Sequence, residues 1–377
     1  MVNPRHFFLF FITLAILSTG LFVNGQSRVI SPEVHEDRRV TFRLRAPQAE
    51  SVSLRGIQGR QAMSKDEDGI WSLTLGPLEP EIYSYRYWVD EASVIDPVNR
   101  NVKKWFDLNS LVEVPGNPPL IHELQEVSHG ILHHHTYASK SAERQRGVFI
   151  YTPPGYSDHP KQRYPVLFLL HGFGDDESAW NEVGRAHWIT DNLIAVGEIK
   201  PMVIVMPYGH PVPVSSRSRY EDYSPRNNQL MEKDLFNDLI PLIEKHYRVS
   251  ASKDKRAIVG LSMGGGHSLG IGLRNFDQFA WIGGFSSAPP QGTLEKQFSR
   301  LSSNVNEAND TIRLLWIGCG RDDFLFERNN QFIERLKTKK VKHVYHVSEG
   351  GHSWDVWRKY LTVFLQKIFI TVDSSTP

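Results

Sequence analysis

One pentapeptide constrains the fold of this chain more than any other feature: Gly260-Leu261-Ser262-Met263-Gly264. It follows an apolar run at residues 256–259 and precedes a segment, residues 263–274, that can form a helix despite its glycines. Glycines at both ends of such a pentapeptide let a strand and a helix approach closely, and the sharp turn between them exposes the serine. Short glycine and serine matches also arise by chance, so the flanking strand and helix carry the interpretation. The pattern predicts a nucleophile elbow with Ser262 as the nucleophile.

A serine nucleophile needs a histidine base and an acid that orients it, and on an α/β-hydrolase sheet the acid and then the histidine follow the serine. An apolar strand predicted at residues 311–317 ends in a loop that carries Asp322 and Asp323. A further strand at residues 342–347 is followed by Gly350-Gly351-His352. His352 is therefore the candidate base, although it could also be an ordinary helix-entry residue. Either aspartate could be the acid, or could simply cap a following helix.

Two backbone amides are candidates for an oxyanion hole. One belongs to Met263, directly after the serine, and the other to a loop that follows an early strand. The strand predicted at residues 164–170 runs into His171-Gly172-Phe173-Gly174, so Phe173 is the second candidate, unless this loop is only a turn. Trp180 follows soon after and could either stack on a bound acyl group or pack in the core.

These motifs together resemble the feruloyl and acetylxylan esterases of carbohydrate esterase family one. The resemblance rests on the elbow, on His171-Gly172-Phe173-Gly174 and on the loops that carry Asp323 and His352, and it covers about residues 130–370. It implies an α/β-hydrolase fold and a serine esterase that uses no metal and no organic cofactor. The family pattern of an aspartate, a small residue and a leucine implies Asp323 as the acid, with Phe324 at the small position.

Residues 28–115 differ from the rest of the chain in sequence pattern, and this pattern predicts a small β-sandwich with a possible carbohydrate-binding role. Short alternating segments at 40–44, 51–54, 71–75 and 82–89 are separated by Gly, Pro and Asp turns. The region resembles the early-set immunoglobulin-like modules of glycogen-branching enzymes. Tyr83, Tyr85, Tyr87 and Val89 share one strand face and should face the core, whereas Trp88 points outward to a carbohydrate or to a domain contact.

The remaining chain predicts a linker and a hydrolase domain. The linker occupies residues 116–129, and the α/β-hydrolase domain occupies residues 130–371. Apolar strands are predicted at 202–206 and 279–285, and helices at 231–246, 327–337 and 355–370. The polar stretch at 208–228 shows no clear period, which predicts a loop over the strand ends.

Composition and isolated residues exclude several functions. The formal net charge of the 377 residues is +1, which offers no broad basic surface for nucleic acid. His133-His134-His135 resembles a metal tract, but alternation along a strand would send these rings to opposite faces, so no metal site is expected. Cys319 is the only cysteine, so no internal disulfide can form, and its place at a strand end favours a buried packing role.

The first 25 residues predict a cleavable signal peptide. Arg5 and His6 precede an apolar run at residues 7–17, and Val23-Asn24-Gly25 offers a cleavage point before Gln26. Because apolar residues continue to Val23, an uncleaved membrane anchor is the alternative. The expected protein is secreted or periplasmic, without stable membrane association after cleavage.

The expected function is hydrolysis of feruloyl or similar hydroxycinnamoyl esters on plant cell-wall polysaccharide or oligosaccharides. An acetylxylan esterase and an enterochelin-type siderophore esterase are the alternatives within the same chemistry. An inactive carbohydrate-binding protein is the alternative outside it.

The signal-peptide prediction has a direct measurement. When the full chain is expressed in a bacterial host with a secretion pathway, the exported protein should begin near Gln26. Intact mass or N-terminal sequencing measures this, and a membrane fraction that retains the apolar segment would contradict it.

Overall fold

The computed structural model describes residues 29–370, and an all-β domain comes first in them. Its strands are β1 Glu33–Val34, β2 Val40–Arg45, β3 Val52–Arg55, β4 Arg60–Ala62, β5 Ser64–Lys65, β6 Ile70–Leu75, β7 Glu81–Val89, β8 Ala92–Val94, β9 Val102–Lys104 and β10 Leu108–Val114. One sheet has the order β1-β2-β6-β5 and the other β4-β3-β7-β10-β9, with β8 also paired to β7. The strand pairs are antiparallel. We call this domain the sandwich; its likeness to immunoglobulin-like modules stays a prediction.

The sandwich core lies between its two sheets. Phe42 from one sheet and Tyr85 and Tyr87 from the other are fully or almost fully buried in a single apolar cluster. Tyr83 and Val89 pack against this cluster with partial burial, as period-two alternation along β7 requires. The predicted inward face of this strand is therefore the observed one.

Trp88 lies on the opposite face of β7. The guanidinium of Arg55 stands 4.4 Å from the centre of its ring, a cation–π contact within the sandwich itself.

The second part of the chain is built on one sheet, which we call the hydrolase sheet. Its strands within residues 29–370 are β11 Ile131–Ser139, β12 Arg144–Thr152, β13 Val166–Leu170, β14 Val203–Pro207, β15 Arg256–Gly260, β16 Trp281–Phe285, β17 Leu314–Gly320 and β18 Val344–Ser348. Their order in the sheet is β11-β12-β14-β13-β15-β16-β17-β18. β12 pairs antiparallel with both β11 and β14, and the six strands β13 to β18 are parallel to one another.

Helices cover both faces of the hydrolase sheet. They are α1 Ala179–Glu182, α2 Ala186–Ala195, α3 Tyr220–Asp234, α4 Ile240–His246, α5 Ser262–Arg274, α6 Leu294–Gln297, α7 Ser299–Ser303, α8 Val305–Thr311, α9 Phe326–Thr338 and α10 Trp354–Leu365, with a π-helical turn at Leu235–Leu239 joining α3 to α4. Two apolar clusters lie on opposite faces of the sheet, and alternate residues of the central strands belong to one cluster or the other. β13, β14 and β15 are therefore buried along their whole length. This is the layering that a parallel sheet requires, with both faces covered.

The predicted loop at residues 208–228 is wrong in its second half. Helix α3 begins at Tyr220, well before the predicted helix start at residue 231. Its buried positions are Tyr223, Asn227, Met231 and Asp234, which follow helical spacing but include two polar side chains. Tyr137 donates to Oδ2 of Asp234 at 2.7 Å, and Asn227 donates to the carbonyl of Gly209 at 3.0 Å. Because two of the four buried positions are polar, the helix carries no apolar period that the sequence could reveal.

The two domains meet through buried contacts. Ile82 and Leu111 of the sandwich belong to the apolar cluster under α10. Arg358 of α10, 2% exposed, pairs with Glu81 of β7 and donates to the carbonyl of Val183 at 2.8 Å. This interface places the sandwich beside the carboxyl ends of the parallel strands.

Two sequence-based expectations concern membranes and metals. In residues 29–370, no helix combines the length and the apolar character needed to cross a bilayer. The same residues contain no group of three or more His, Cys, Asp or Glu side chains placed to hold a metal ion. The predicted signal peptide, residues 1–25, lies outside the described part of the chain.

Candidate active site

Ser262 stands on a strained turn between β15 and α5. Its φ is 52°, in the left-handed region that a residue with a side chain adopts at a cost. The turn is tight, because a Cβ atom on Gly264 would lie 2.5 Å from the carbonyl oxygen of Leu170. Glycine is therefore required where the helix begins beside β13, and Ser262 remains half-buried at the strand end.

His352 and Asp323 form a close pair at the ends of neighbouring strands. Nδ1 of His352 lies 2.9 Å from Oδ2 and 3.0 Å from Oδ1 of Asp323. The carboxylate side chain is fully buried, whereas the imidazole is 19% exposed. Within residues 29–370 the side chain of His352 forms hydrogen bonds with Asp323 alone, so its Nε2 is available to a second partner.

The environment of Asp323 keeps its carboxylate ionised. Burial by itself would raise the pKa, but the hydrogen bond from His352 and further hydrogen bonds lower it below the ordinary value. One of these comes from the backbone N–H of Leu325, which donates to Oδ1 at 2.8 Å. A charged acceptor at Nδ1 holds the imidazole in the tautomer whose Nε2 can accept a proton.

The geometry separates the two candidate aspartates. Asp322 is exposed, and its backbone N–H donates to the carbonyl of Gly350. Asp323 is 4% exposed and is the residue that contacts His352.

Phe324, at the position where the family pattern has a small residue, is 75% exposed. Its ring centre lies 4.4 Å from that of His352. On another side the imidazole meets the ring of Trp357 edge-on at 4.9 Å. The histidine ring therefore has aromatic neighbours on two sides.

The serine, acid and histidine share one edge of the hydrolase sheet. Ser262 follows β15, Asp323 follows β17 and His352 follows β18, and these strands run parallel. Parallel strands present their carboxyl ends together, which brings the three loops to one place. Within residues 29–370 no hydrogen bond joins the side chains of Ser262 and His352. The hydrogen bond between a catalytic serine and its base is often long until substrate binds, so the shared edge is what supports their pairing.

The loop after β13 lies against the serine. A Cβ atom on Gly172 would stand 3.6 Å from Cβ of Ser262, so the peptide that follows it, with the N–H of Phe173, is close to the nucleophile. The N–H of Met263 belongs to the first turn of α5, where amides have no partner within the helix. Both candidate oxyanion donors are thus placed around Ser262.

Neutral buried histidines hold this loop. His171 accepts the N–H of Gly209 on Nε2 at 2.7 Å, and its Nδ1–H donates to the carbonyl of Gly172 at 2.8 Å. His210 accepts the N–H of Gly174 on Nε2 at 3.1 Å. Burial lowers the pKa of His171 to about 4 and lowers that of His210 far below its ordinary value, so both rings accept these hydrogen bonds as neutral groups.

A polar chain extends from His210 into the core. Its Nδ1–H donates to the hydroxyl of Tyr223 at 2.6 Å, and that hydroxyl donates to Oδ1 of Asn227 at 2.6 Å. The amide of Asn227 in turn donates to the carbonyl of Gly209 at 3.0 Å. No local pattern marks these residues as a unit, because they come from a loop and from the first turns of α3, which the sequence predicted as loop.

Trp180 lies in the core rather than at the surface of the site. It is 1% exposed, its indole N–H donates to the carbonyl of Leu170 at 3.0 Å, and its ring meets Trp354 edge-on at 5.1 Å. A side chain this buried presents no face to a substrate. Of the two interpretations that the sequence left open, packing is therefore the one that fits.

The histidine tract divides between the faces of β11. His133 and His135 both face the ring of Tyr247, whereas His134 stacks on Phe149 with a ring separation of 4.2 Å.

Cys319 is buried, and burial together with the nearby Asp323 raises the pKa of its thiol to about 12. The thiol therefore stays protonated and unsuited to nucleophilic attack.

A cleft of about 650 Å³ opens between the domains beside His352. One wall consists of His352 and residues 353–355 with Lys359, and the other of sandwich residues 79–84 with Lys103. The sequence predicted a separate sandwich but did not predict that it borders the site.

Comparisons with known proteins bear on this geometry. The family described as putative esterase matches residues 139–368. An endo-1,4-beta-xylanase/feruloyl esterase from Xylanibacter ruminicola is 32% identical over 347 residues, which are 90% of this chain and 46% of the relative. The chain therefore spans about half the length of that relative.

Two solved structures resemble the chain. A ferulic acid esterase from the anaerobic fungus Anaeromyces mucronatus has a TM-score of 0.54 and 26% identity, covering 66% of this chain and 93% of its own. The enterobactin esterase of Shigella flexneri has a TM-score of 0.61 over 87% of this chain and 92% of its own. At 18% identity the second likeness concerns the fold alone.

Replacing Ser262 tests the role of the elbow. Ser262→Ala should lower kcat on an aryl ester by about 10⁴- to 10⁶-fold, because the hydroxyl forms the covalent bond. Circular dichroism serves as the folding control. A folded variant that keeps more than a few per cent of wild-type activity would show that the nucleophile lies elsewhere.

The two aspartates form a matched pair of variants. Asp323→Asn should lower kcat by about 10⁴-fold, because an amide no longer favours the required tautomer of His352. Asp322→Asn should leave kcat nearly unchanged, since its side chain is exposed. Steady-state kinetics on one ester compares them, and the reverse ranking would place the acid one residue earlier.

Proposed function

Because the chain belongs to the putative esterase family and is a carboxylic ester hydrolase, we propose that it is a secreted feruloyl esterase. Its substrates in this proposal are feruloyl or similar hydroxycinnamoyl esters on plant cell-wall polysaccharide or oligosaccharides. The relative with 32% identity and the ferulic acid esterase structure with 26% identity support this acyl class.

The contact between His352 and buried Asp323 at the edge that also carries Ser262 is the observation on which the reaction depends. Ser262 Oγ attacks the ester carbonyl carbon while Nε2 of His352 takes the hydroxyl proton. The charge on the carbonyl oxygen is stabilised by the amides of Phe173 and Met263. Collapse of the intermediate expels the alcohol, which takes the proton from His352.

Hydrolysis of the acyl-enzyme repeats the same steps. A water molecule gives its proton to His352 and attacks the acyl carbon, and the serine then takes the proton back as the acid leaves. Asp323 stays ionised throughout and stabilises the imidazolium. No step calls for a group beyond these side chains and amides.

The alcohol part of the ester must lie beside His352, since it receives a proton from that residue. His352 borders the cleft between the domains, whose walls carry hydrogen-bonding groups such as Ser84, Lys103 and Asp355. Such walls suit an alcohol rich in hydroxyl groups. The cleft thus supports a sugar as the leaving group in this proposal.

A siderophore esterase is the second candidate. It shares the ester chemistry of the first candidate, and the fold likeness to the enterobactin esterase of Shigella flexneri, which extends over 87% of this chain, leaves it open. The two candidates use the same residues and differ only in the alcohol and acyl groups that they accept.

A substrate panel decides between these candidates. We expect the highest kcat/KM on methyl ferulate and feruloylated oligosaccharides, and lower values on acetylated xylan and enterobactin. Ser262→Ala, measured on each ester, controls for uncatalysed hydrolysis. A preference for acetylated xylan or for enterobactin would replace the proposed substrate, and failure on every ester, including a generic aryl ester, would favour an inactive binding protein.

A further inference from the structure

A turn of the sandwich contacts the loop that carries a proposed oxyanion donor. The turn joins β9 to β10 and contains Trp105 and Phe106. The indole N–H of Trp105 donates to the carbonyl oxygen of Phe173 at 2.9 Å. This hydrogen bond crosses from one domain to the other.

The peptide unit between Phe173 and Gly174 is held at both of its polar atoms. Its carbonyl oxygen accepts from Trp105 of the sandwich, and its N–H donates to Nε2 of His210 at 3.1 Å. A peptide unit is planar, so two such contacts fix its orientation. The backbone of Phe173, and hence the direction of its own N–H, depends on that orientation.

Further contacts bring the same two segments together. The rings of Phe106 and Phe173 meet edge-on with centres 5.1 Å apart. Lys103 Nζ lies 3.4 Å from Oδ1 of Asp175, whose side chain is 5% exposed. A buried carboxylate beside a lysine is costly to separate from it, so the sandwich is anchored at this loop.

Glycine at position 174 permits this approach. Its φ is 87°, and an added Cβ atom would stand 2.5 Å from Nε1 of Trp105 and 2.7 Å from the ring of Phe106. The loop and the sandwich turn are thus shaped for each other.

We propose that the sandwich positions the oxyanion hole, with Trp105 as the positioning residue. Its indole N–H holds the Phe173 carbonyl so that the Phe173 amide faces the oxygen of the tetrahedral intermediate. The inference rests on the proposed function, since it assumes that Ser262 forms this intermediate. It concerns every ester, including small esters that carry no sugar.

The variant Trp105→Phe removes the indole N–H and retains an aromatic ring. Loss of an oxyanion donor lowers kcat by about 10²- to 10³-fold, so a donor that is misplaced but present should cost about 10-fold. KM for methyl ferulate should change by less than about twofold, because the oxyanion forms only in the transition state. Trp88→Phe is the matched control, since Trp88 lies in the same domain and faces Arg55.

Binding of phenylboronic acid gives a second measurement. It adds to a catalytic serine as a tetrahedral species, and the affinity of such an analogue follows stabilisation of the transition state. Its inhibition constant should rise about 10-fold in Trp105→Phe and stay unchanged in Trp88→Phe. A merely structural role for Trp105 would lower the melting temperature without this selective loss.

Several outcomes would overturn the inference. A folded Trp105→Phe protein with unchanged kcat and unchanged boronate affinity would do so, as would a rise in KM on polysaccharide alone, which would make the sandwich a binding module. If Trp105→Phe does not fold, Trp105→Leu, which also lacks the indole N–H, takes its place in both measurements, and an unchanged kcat with an unchanged boronate affinity there is equally contrary. Full activity in Ser262→Ala would instead overturn the proposed function.

Discussion

The site depends on one constraint, which is that strands β13 to β18 all run in the same direction. Ser262, Asp323 and His352 are far apart along the chain, and each follows a different strand of this sheet. Parallel strands end at one edge of the sheet, so the loops that carry these residues meet there. No short stretch of sequence links the three residues. β13 and β15, which lead into this edge, are buried along their whole length. The close packing around the elbow holds Ser262 in its strained φ.

Burial disfavours the charged form of every ionisable group around this edge, and hydrogen bonds decide which group stays charged. Asp323 keeps its charge because hydrogen bonds from His352 and a backbone amide outweigh the cost of desolvation. At His171 and His210 no contact outweighs burial, so burial lowers their pKa values and leaves both rings neutral. Neutral rings can accept backbone N–H groups, and that is how they support the loop beside Ser262. Hydrogen bonds thus keep the acid charged, whereas burial keeps the two supporting histidines uncharged.

The sandwich is part of the surroundings of the site and not a separate attachment. Arg358 and Glu81 pair across the interface, and apolar side chains of β7 and β10 join the core under α10. Lys103 and Trp105 then contact the loop that follows β13. The cleft beside His352 consequently has one wall from each domain. The cleft beside His352 and the loop that follows β13 are therefore both shaped by contacts between the two domains.

The sequence by itself determined the elbow at Ser262, the strands of the hydrolase sheet that lead to it, and a short list of partners. These features are local, since an apolar run, a glycine turn and a helix entry are readable within about ten residues. The family pattern already implied Asp323 as the acid, and the structure places Asp323 and not Asp322 against His352. Only the tertiary structure decided that Trp180 is buried and that α3 begins at Tyr220. It also decided that Trp105 reaches Phe173, which lies 68 positions further along the chain. Contacts of that kind depend on where a side chain points and what packs against it, and neither is encoded in a neighbouring stretch of sequence.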